Sequence, residues 1–176
     1  MNLQTITLVS FGFFEKDILE KTAEAVMEEY NCVVNIKDGH LDLSEFYDSA
    51  RRQYNGNELL KQVHSMFFPE SDKNLGIFNV DLFVPILTFI FGQAFLGDRS
   101  GIASLYRLSN ERYGMVPDEK LMLERFKKEV IHELGHTFGL IHCLNPMCVM
   151  RSSTYVEDID QKSMHLCHNC KSELEI

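Results

Sequence analysis

The chain lacks most of the features that would tie it to a membrane or a nucleic acid. Its most apolar run, Leu75 to Gly92, is broken by Asn79, Asp81 and Pro85 and is too interrupted to cross a bilayer. It has no basic stripe: 17 Lys and Arg against 26 Asp and Glu give a formal charge of −9. With a pI near 5.2, this argues against nucleic acid or anionic lipid as the main partner. The short basic runs Arg51-Arg52 and Lys127-Lys128 read as solvated faces. No internal repeat or low-complexity linker divides the 176 residues, enough to bury one sizeable core, so a single domain spanning 1–176 is expected. The N-terminus lacks the positive start and cleavage site of a signal peptide, which predicts a cytoplasmic protein, and a monomer is expected.

The apolar, β-branched run Leu3 to Ser10 suits a buried strand, and Glu15 to Tyr30 follows as an amphipathic helix. Cys32 to Ile36 reads as the next strand, closed by a turn at Lys37-Asp38-Gly39-His40. A helix over Glu58 to Phe67, ended by Pro69, precedes a strand at Leu75 to Val80. This βαβαβ start favours a mainly parallel sheet. Phe89 to Leu96 and Ile102 to Leu108 read as two further strands. His40 and His64 are scattered and read as ordinary surface or core residues, and Cys32 as a buried residue without chemistry.

The chemistry lies in His132-Glu-Leu-Gly-His-Thr-Phe-Gly-Leu-Ile-His142, the pattern H-E-x-x-H-x-x-G-x-x-H. In a chain of this composition the five fixed positions co-occur by chance with a probability of roughly 5×10⁻⁵. On a helix starting near Pro117, His132 and His136 project from one face, so their rings can converge on one metal ion. Glu133 lies about 100° round from His132, able to reach a water at the metal without ligating it. Leu123, Val130 and Leu134, flanked by Phe126 and Phe138, point the other way, toward a core, and Lys127 must snorkel past them. Gly139 can take the left-handed conformation that ends a helix, and the turn returns His142 as third ligand. Three protein ligands leave a tetrahedral position open, as catalytic zinc requires. Peptide-bond hydrolysis is the chemistry this donor set suits, with Glu133 as general base on a water bound to zinc.

Cys143, Cys148, Cys167 and Cys170 form C-x4-C and C-x2-C pairs, the spacing of a closed four-thiolate zinc site. Disulfides are the other reading of these residues, disfavoured in a reducing compartment. His165 and His168 stand beside the second pair and could substitute as ligands. The segment after His142 is too short for a core of its own, so a metal staple has a physical purpose there.

The run from His132 to His142, followed at once by Cys143, Cys148, Met150 and Cys167-His168-Asn169-Cys170, resembles the archaemetzincins, a branch of the metzincin zinc peptidases. The resemblance implies an α/β fold: a mainly parallel five-stranded twisted sheet with packed helices, an active-site helix and a short zinc-stapled C-terminal subdomain. On that pattern residues 1–142 form an N-terminal subdomain and 143–176 the C-terminal one. It implies two zinc ions, a catalytic one on His132, His136 and His142 with Glu133 as base, and a structural one on the four cysteines. A methionine at position 150 would by itself be core filler; the resemblance makes Met150 the methionine of the turn beneath the site. Asp81 to Gly97 is similar to the segment before the family's substrate-side edge strand, with Gln93 departing from the acidic residue expected there. Some metzincins carry an oxyanion-holding tyrosine two residues after the methionine; here that position is Ser152, and Tyr155 is the nearest substitute. The implied partner is a peptide or protein substrate, laid along the edge strand. A second reading is a catalytically silent, zinc-stabilised protein- or peptide-binding module. Glu133 tells against it, because a structural site needs the histidines and not the carboxylate beside them.

Overall fold

The computed structural model describes residues 3–66 and 68–174. In chain order the elements are β1 (Thr5–Phe11), α1 (Lys16–Tyr30), β2 (Val33–Gly39), β3 (Tyr47–Asp48), β4 (Gln53–Asn55), α2 (Gly56–Ser65), β5 (Lys73–Phe78), β6 (Leu82–Phe83), β7 (Gly92–Ala94), β8 (Ser100–Ser104), α3 (Glu119–Thr137), α4 (Val156–Gln161) and α5 (His168–Glu173). One sheet runs β2-β1-β5-β8-β7 and a smaller one β3-β4-β6. In the larger sheet β2, β1, β5 and β8 are parallel and only β7, at the edge, runs antiparallel to its neighbour. The expected mainly parallel five-stranded α/β fold is the one observed.

Alternation along the strands explains the layers. Ile6, Leu8, Leu75, Ile77 and Ala103 face α1 and α3, whose Leu19, Val26, Phe126, Val130 and Leu134 complete that core. Val9, Phe11, Phe78 and Ile102 face the other way, onto Leu59, Leu60 and Val63 of α2. Fully burying a leucine, isoleucine, valine or phenylalanine side chain of this kind is worth roughly 1.5–3 kcal/mol of transfer free energy. The chain beyond His142 joins the first core: Cys148, Val149, Met150, Val156, Ile159, Leu166 and Cys170 all pack into it. Arg125, buried on α3, grips Asp160 of α4 through two bonds of 2.7 Å. The Tyr30 hydroxyl at the end of α1 donates to the Ile131 carbonyl at 2.6 Å, fixing the depth at which α3 sits.

Several boundaries differ from the expectation. The motif helix starts at Glu119, because the Asp118 side chain accepts the Leu121 N–H and caps it, leaving Pro117 outside. In the same way Asn55 accepts from the Glu58 N–H and starts α2 at Gly56; the helix stops at Ser65, and its expected end, Phe67, lies outside the described residues. The turn expected at Lys37–Gly39 is strand, since these residues pair with Val9, Ser10 and Phe11. The strand expected over Phe89–Leu96 shrinks to Gly92–Ala94, because Ile90 turns away to bridge Leu82 of the small sheet. The one expected over Ile102–Leu108 is β8 followed by a 3₁₀ turn at Tyr106–Leu108. Among the described residues, no helix is long and apolar enough to cross a membrane.

Candidate metal centre and its cleft

Helix α3 delivers His132 and His136 to one face, with their Nε2 atoms 3.1 Å apart. The chain then reverses at Gly139, whose φ of +96° is the left-handed conformation that glycine adopts without strain. That turn brings the His142 ring to 5.3 and 4.9 Å, centre to centre, from those of His132 and His136. The ligand atoms of the three lie within 4.8 Å of one another. His132 donates from Nδ1 to the Val149 carbonyl at 2.8 Å, and His136 from Nδ1 to the Leu140 carbonyl at 2.7 Å. Each Nε2 therefore carries a lone pair. Two such lone pairs 3.1 Å apart repel unless a cation lies between them, so the donor set fits a metal ion. Burial, with the Lys162 ammonium second, holds His132 well below the usual imidazole range; His136 and His142 are lowered as well, chiefly by burial. All three thus favour the neutral form that ligates.

Glu133, 4% exposed, sits beside this cluster with its Oε2 unpartnered. Burial first, then the neighbouring Glu129 carboxyl, pushes Glu133 well above the usual carboxylate range. Below it lie two buried charged residues that the sequence reading did not single out. Glu129, one helical turn earlier, is raised by burial while Lys162 pulls it the other way. Lys162 donates to the Arg151 carbonyl at 2.9 Å and stands 3.5 Å from His132 Nδ1. Because that nitrogen carries its own hydrogen, the second contact is proximity and not a bond. The four-residue step from Glu129 to Glu133 was visible in the sequence; nothing there pointed to Lys162.

Met150 is fully buried and its Sδ presses on the backbone of α3 at Gly135, where an added Cβ would collide with it and crowd the Tyr30 hydroxyl. The second cluster lies just beyond. Cys143 Sγ stands 3.8 Å from Cys167 Sγ, and Cys148 Sγ 3.8 Å from Cys170 Sγ, far longer than the 2.05 Å of a disulfide. All five cysteines are free, and the sulfurs of these four lie within 4.8 Å of one another, a grouping that could hold a metal ion. The Cys170 N–H above all draws the Cys167 thiol down to about 7, toward the thiolate a metal binds, whereas burial raises Cys170. His165 and His168 stay outside this cluster; His165 Nδ1 pairs with Glu29 at 2.7 Å.

Two cavities flank the histidines. The first, about 430 Å³, has an apolar wall and includes Gln93, whose Nε2 donates to Asn57 at 2.7 Å. The second, about 490 Å³, reaches down to Glu129 and is rimmed by Ser152, Ser153, Thr154 and the exposed Tyr155. Residues 84–90 form a lip over both. Arg51, exposed as expected, also holds this lip: its guanidinium donates to the Pro85 and Leu87 carbonyls at 3.0 and 3.1 Å and lies over the Phe83 ring. Gln53 adds a bond to the Thr88 carbonyl at 2.8 Å. Lys128 is likewise engaged, donating to the Ile159 carbonyl at 3.0 Å.

Sites of this build define one class of enzyme, the metzincin-type zinc metallopeptidases, and comparison with known proteins bears this out. The chain belongs to Peptidase family M54, whose profile matches residues 1–176. It is 46% identical over 144 residues to the archaemetzincin of Pyrococcus horikoshii, covering 78% of this chain and 75% of that protein. The crystal structure of Methanopyrus kandleri archaemetzincin superposes with a TM-score of 0.87 at 36% identity, covering 98% of this chain and 94% of that one. That of a zinc-dependent peptidase from Methanocorpusculum labreanum gives a TM-score of 0.86 at 28% identity, with 96% and 99% covered.

Proposed function

We propose that this metallopeptidase hydrolyses peptide bonds at the His132, His136 and His142 cluster, with Glu133 as its general base. The observation that carries the reading is the buried Glu133 Oε2, left without a partner beside three histidines whose ring nitrogens lie within 4.8 Å of one another. A site built only for stability has no use for a buried carboxyl group with an unpartnered oxygen, which costs folding free energy. In this reading His132, His136 and His142 hold zinc, and the four cysteines hold a second zinc as a staple for residues 143–176. When bound by the histidines, zinc acts as a Lewis acid that lowers the pKa of water toward about 7 and polarises a carbonyl.

Glu133 takes a proton from the attacking water and passes it to the departing amine nitrogen. The Val149 and Leu140 carbonyls fix the His132 and His136 rings so that Nε2 faces the cleft. Met150, wedged against Gly135, sets the height of the chain that supplies the Val149 carbonyl. The extended substrate lies along the free edge of β7, within reach of both cavities. Ser152 has no phenol to offer an oxyanion; Tyr155 is the residue lining the second cavity that carries one, and in this reading it takes that part.

The test is digestion of a diverse peptide mixture by zinc-loaded protein, read by mass spectrometry beside chelator-treated protein and His136→Ala. Cleavage confined to the zinc-loaded wild type supports the reading. Cleavage that survives in both controls, or none in protein shown to carry two zinc ions, overturns it.

A further inference from the structure

The two cavities beside the histidines differ in chemistry, and β7 gives the cleft a direction. Outside the metal-site residues, the first cavity is lined by Val84, Leu87, Ile90, Ala94, Leu96 and Ile141, with Gln93 and Gly92 and no charged side chain. Leu87, Leu96 and Ile141 are 49%, 59% and 67% exposed, leaving their aliphatic surface uncovered at the mouth of the site. The second cavity has aromatic walls but a floor of Glu129 and a rim of serine and threonine. The Arg51 bonds to the Pro85 and Leu87 carbonyls hold the wall between them in place before any substrate arrives.

The edge of β7 orients the occupant. Phe91 accepts from the Ser104 N–H and Phe95 donates to the Ser100 carbonyl, so these residues and Gln93 bond toward β8. By the alternation of an antiparallel ladder, Gly92 and Ala94 turn their backbone N–H and C=O to the open edge. Gly92 lines both cavities, whereas Ala94 and Leu96, further along the chain, line only the first. Antiparallel pairing is the more stable arrangement per residue. A peptide so paired passes the first cavity with its N-terminal part and leaves past Gly92 toward the second.

From this we infer that the first cavity selects a large apolar side chain on the N-terminal side of the bond cleaved. The preferred substrates are peptides with leucine, isoleucine, methionine or phenylalanine there. The inference rests on the peptidase reading above, and one experiment separates the two. Zinc-loaded wild type and Leu96→Lys digest the same peptide mixture, and residues on either side of each cut are counted by mass spectrometry. Leu96 is a surface side chain, so the variant keeps its fold, and its zinc content is measured alongside. Wild type should cut after large apolar residues about 10- to 100-fold more often than after aspartate or glycine, the discrimination an apolar pocket provides. Leu96→Lys should lower that enrichment about tenfold at unchanged zinc content.

As a readout without turnover, calorimetry on Glu133→Ala should show tighter binding of a leucine peptide than of its aspartate counterpart, and equal affinity would contradict the inference. Zinc-dependent cuts with no N-terminal-side preference, or with an apolar preference only on the C-terminal side, overturn it and leave the peptidase reading standing. Absence of any zinc-dependent cut removes both. Self-association of wild type that Leu96→Lys abolishes, with an unaltered cleavage profile, would assign the patch to a second copy of the chain and overturn the inference.

Discussion

At the scale of single residues, the packing of Met150 on Gly135 ties the turn to the helix that carries the histidines. Gly135→Ala gains about 1 kcal/mol in helix propensity, but it drives a methyl group against a fully buried thioether and the Tyr30 hydroxyl. Overpacking of this kind costs about 1–3 kcal/mol. Loss should win, lowering the thermal midpoint by about 2–5 °C in a calorimetric scan; an unchanged or raised midpoint would mean that Met150 moves aside freely. The sequence motif leaves position 135 open, so only the close approach of Met150 reveals why glycine stands there. Lys162 shows the opposite limit of sequence reading. It reaches the underside of His132 from a loop with no motif, and a lysine in a polar stretch carries no sign of burial.

At the scale of elements, the sequence pattern located the five strands of the larger sheet and helices α1, α2 and α3, but not the small sheet β3-β4-β6 or the short helices α4 and α5; the misplaced ends trace to interactions that periodicity does not contain. Asn55 and Asp118 caps moved two helix starts. The bridge from Ile90 to Leu82 shortened the edge strand, a competition between two sheets that no local window shows. Helix α4 provides a test with pH as its variable. The Asp158 carboxylate accepts the Thr154 and Tyr155 N–H groups at 2.9 Å each and is lowered by these bonds below the usual aspartate range. A carboxyl lowered on folding adds stability that is present above its unfolded value near 3.8 and fades as pH falls through the lower folded one. Asp158→Ala should therefore cost about 0.5–1.5 kcal/mol at neutral pH, and the gap from wild type should narrow in acid. Denaturant titrations at pH 7 and pH 3 check this; a gap independent of pH would contradict it. The same variant should loosen residues 152–155 on the rim of the second cavity.

At the scale of the whole molecule, the cysteine cluster belongs to the same core as the sheet. Cys148 and Cys170 pack with Val149, Leu166 and Met150 against α3, and Glu29 of α1 accepts the Leu166 N–H at 2.8 Å. Cys167→Ser should remove one of two zinc ions per chain and raise amide exchange in residues 143–174, and the loosened core should lower the midpoint of the entire domain. Two ions retained in the variant would contradict the assignment of the cysteines. The archaemetzincin pattern was legible from His132 to Cys170 because donor residues that can share a metal ion must match in both type and spacing. The cleft was legible only in part: the edge strand and Tyr155 belong to the expected pattern, whereas the lip at 84–90 is held by tertiary bonds from Arg51 and Gln53 that no local pattern shows.

The central claim is that Glu133 performs the proton transfers at the three-histidine metal. It is tested most directly by the kcat/KM of Glu133→Ala against wild type on one fluorogenic peptide, at matched zinc content. A fall of about 10²–10⁴-fold or more at two zinc ions per chain is the result expected for a general base. Equal turnover in the two proteins would contradict the account.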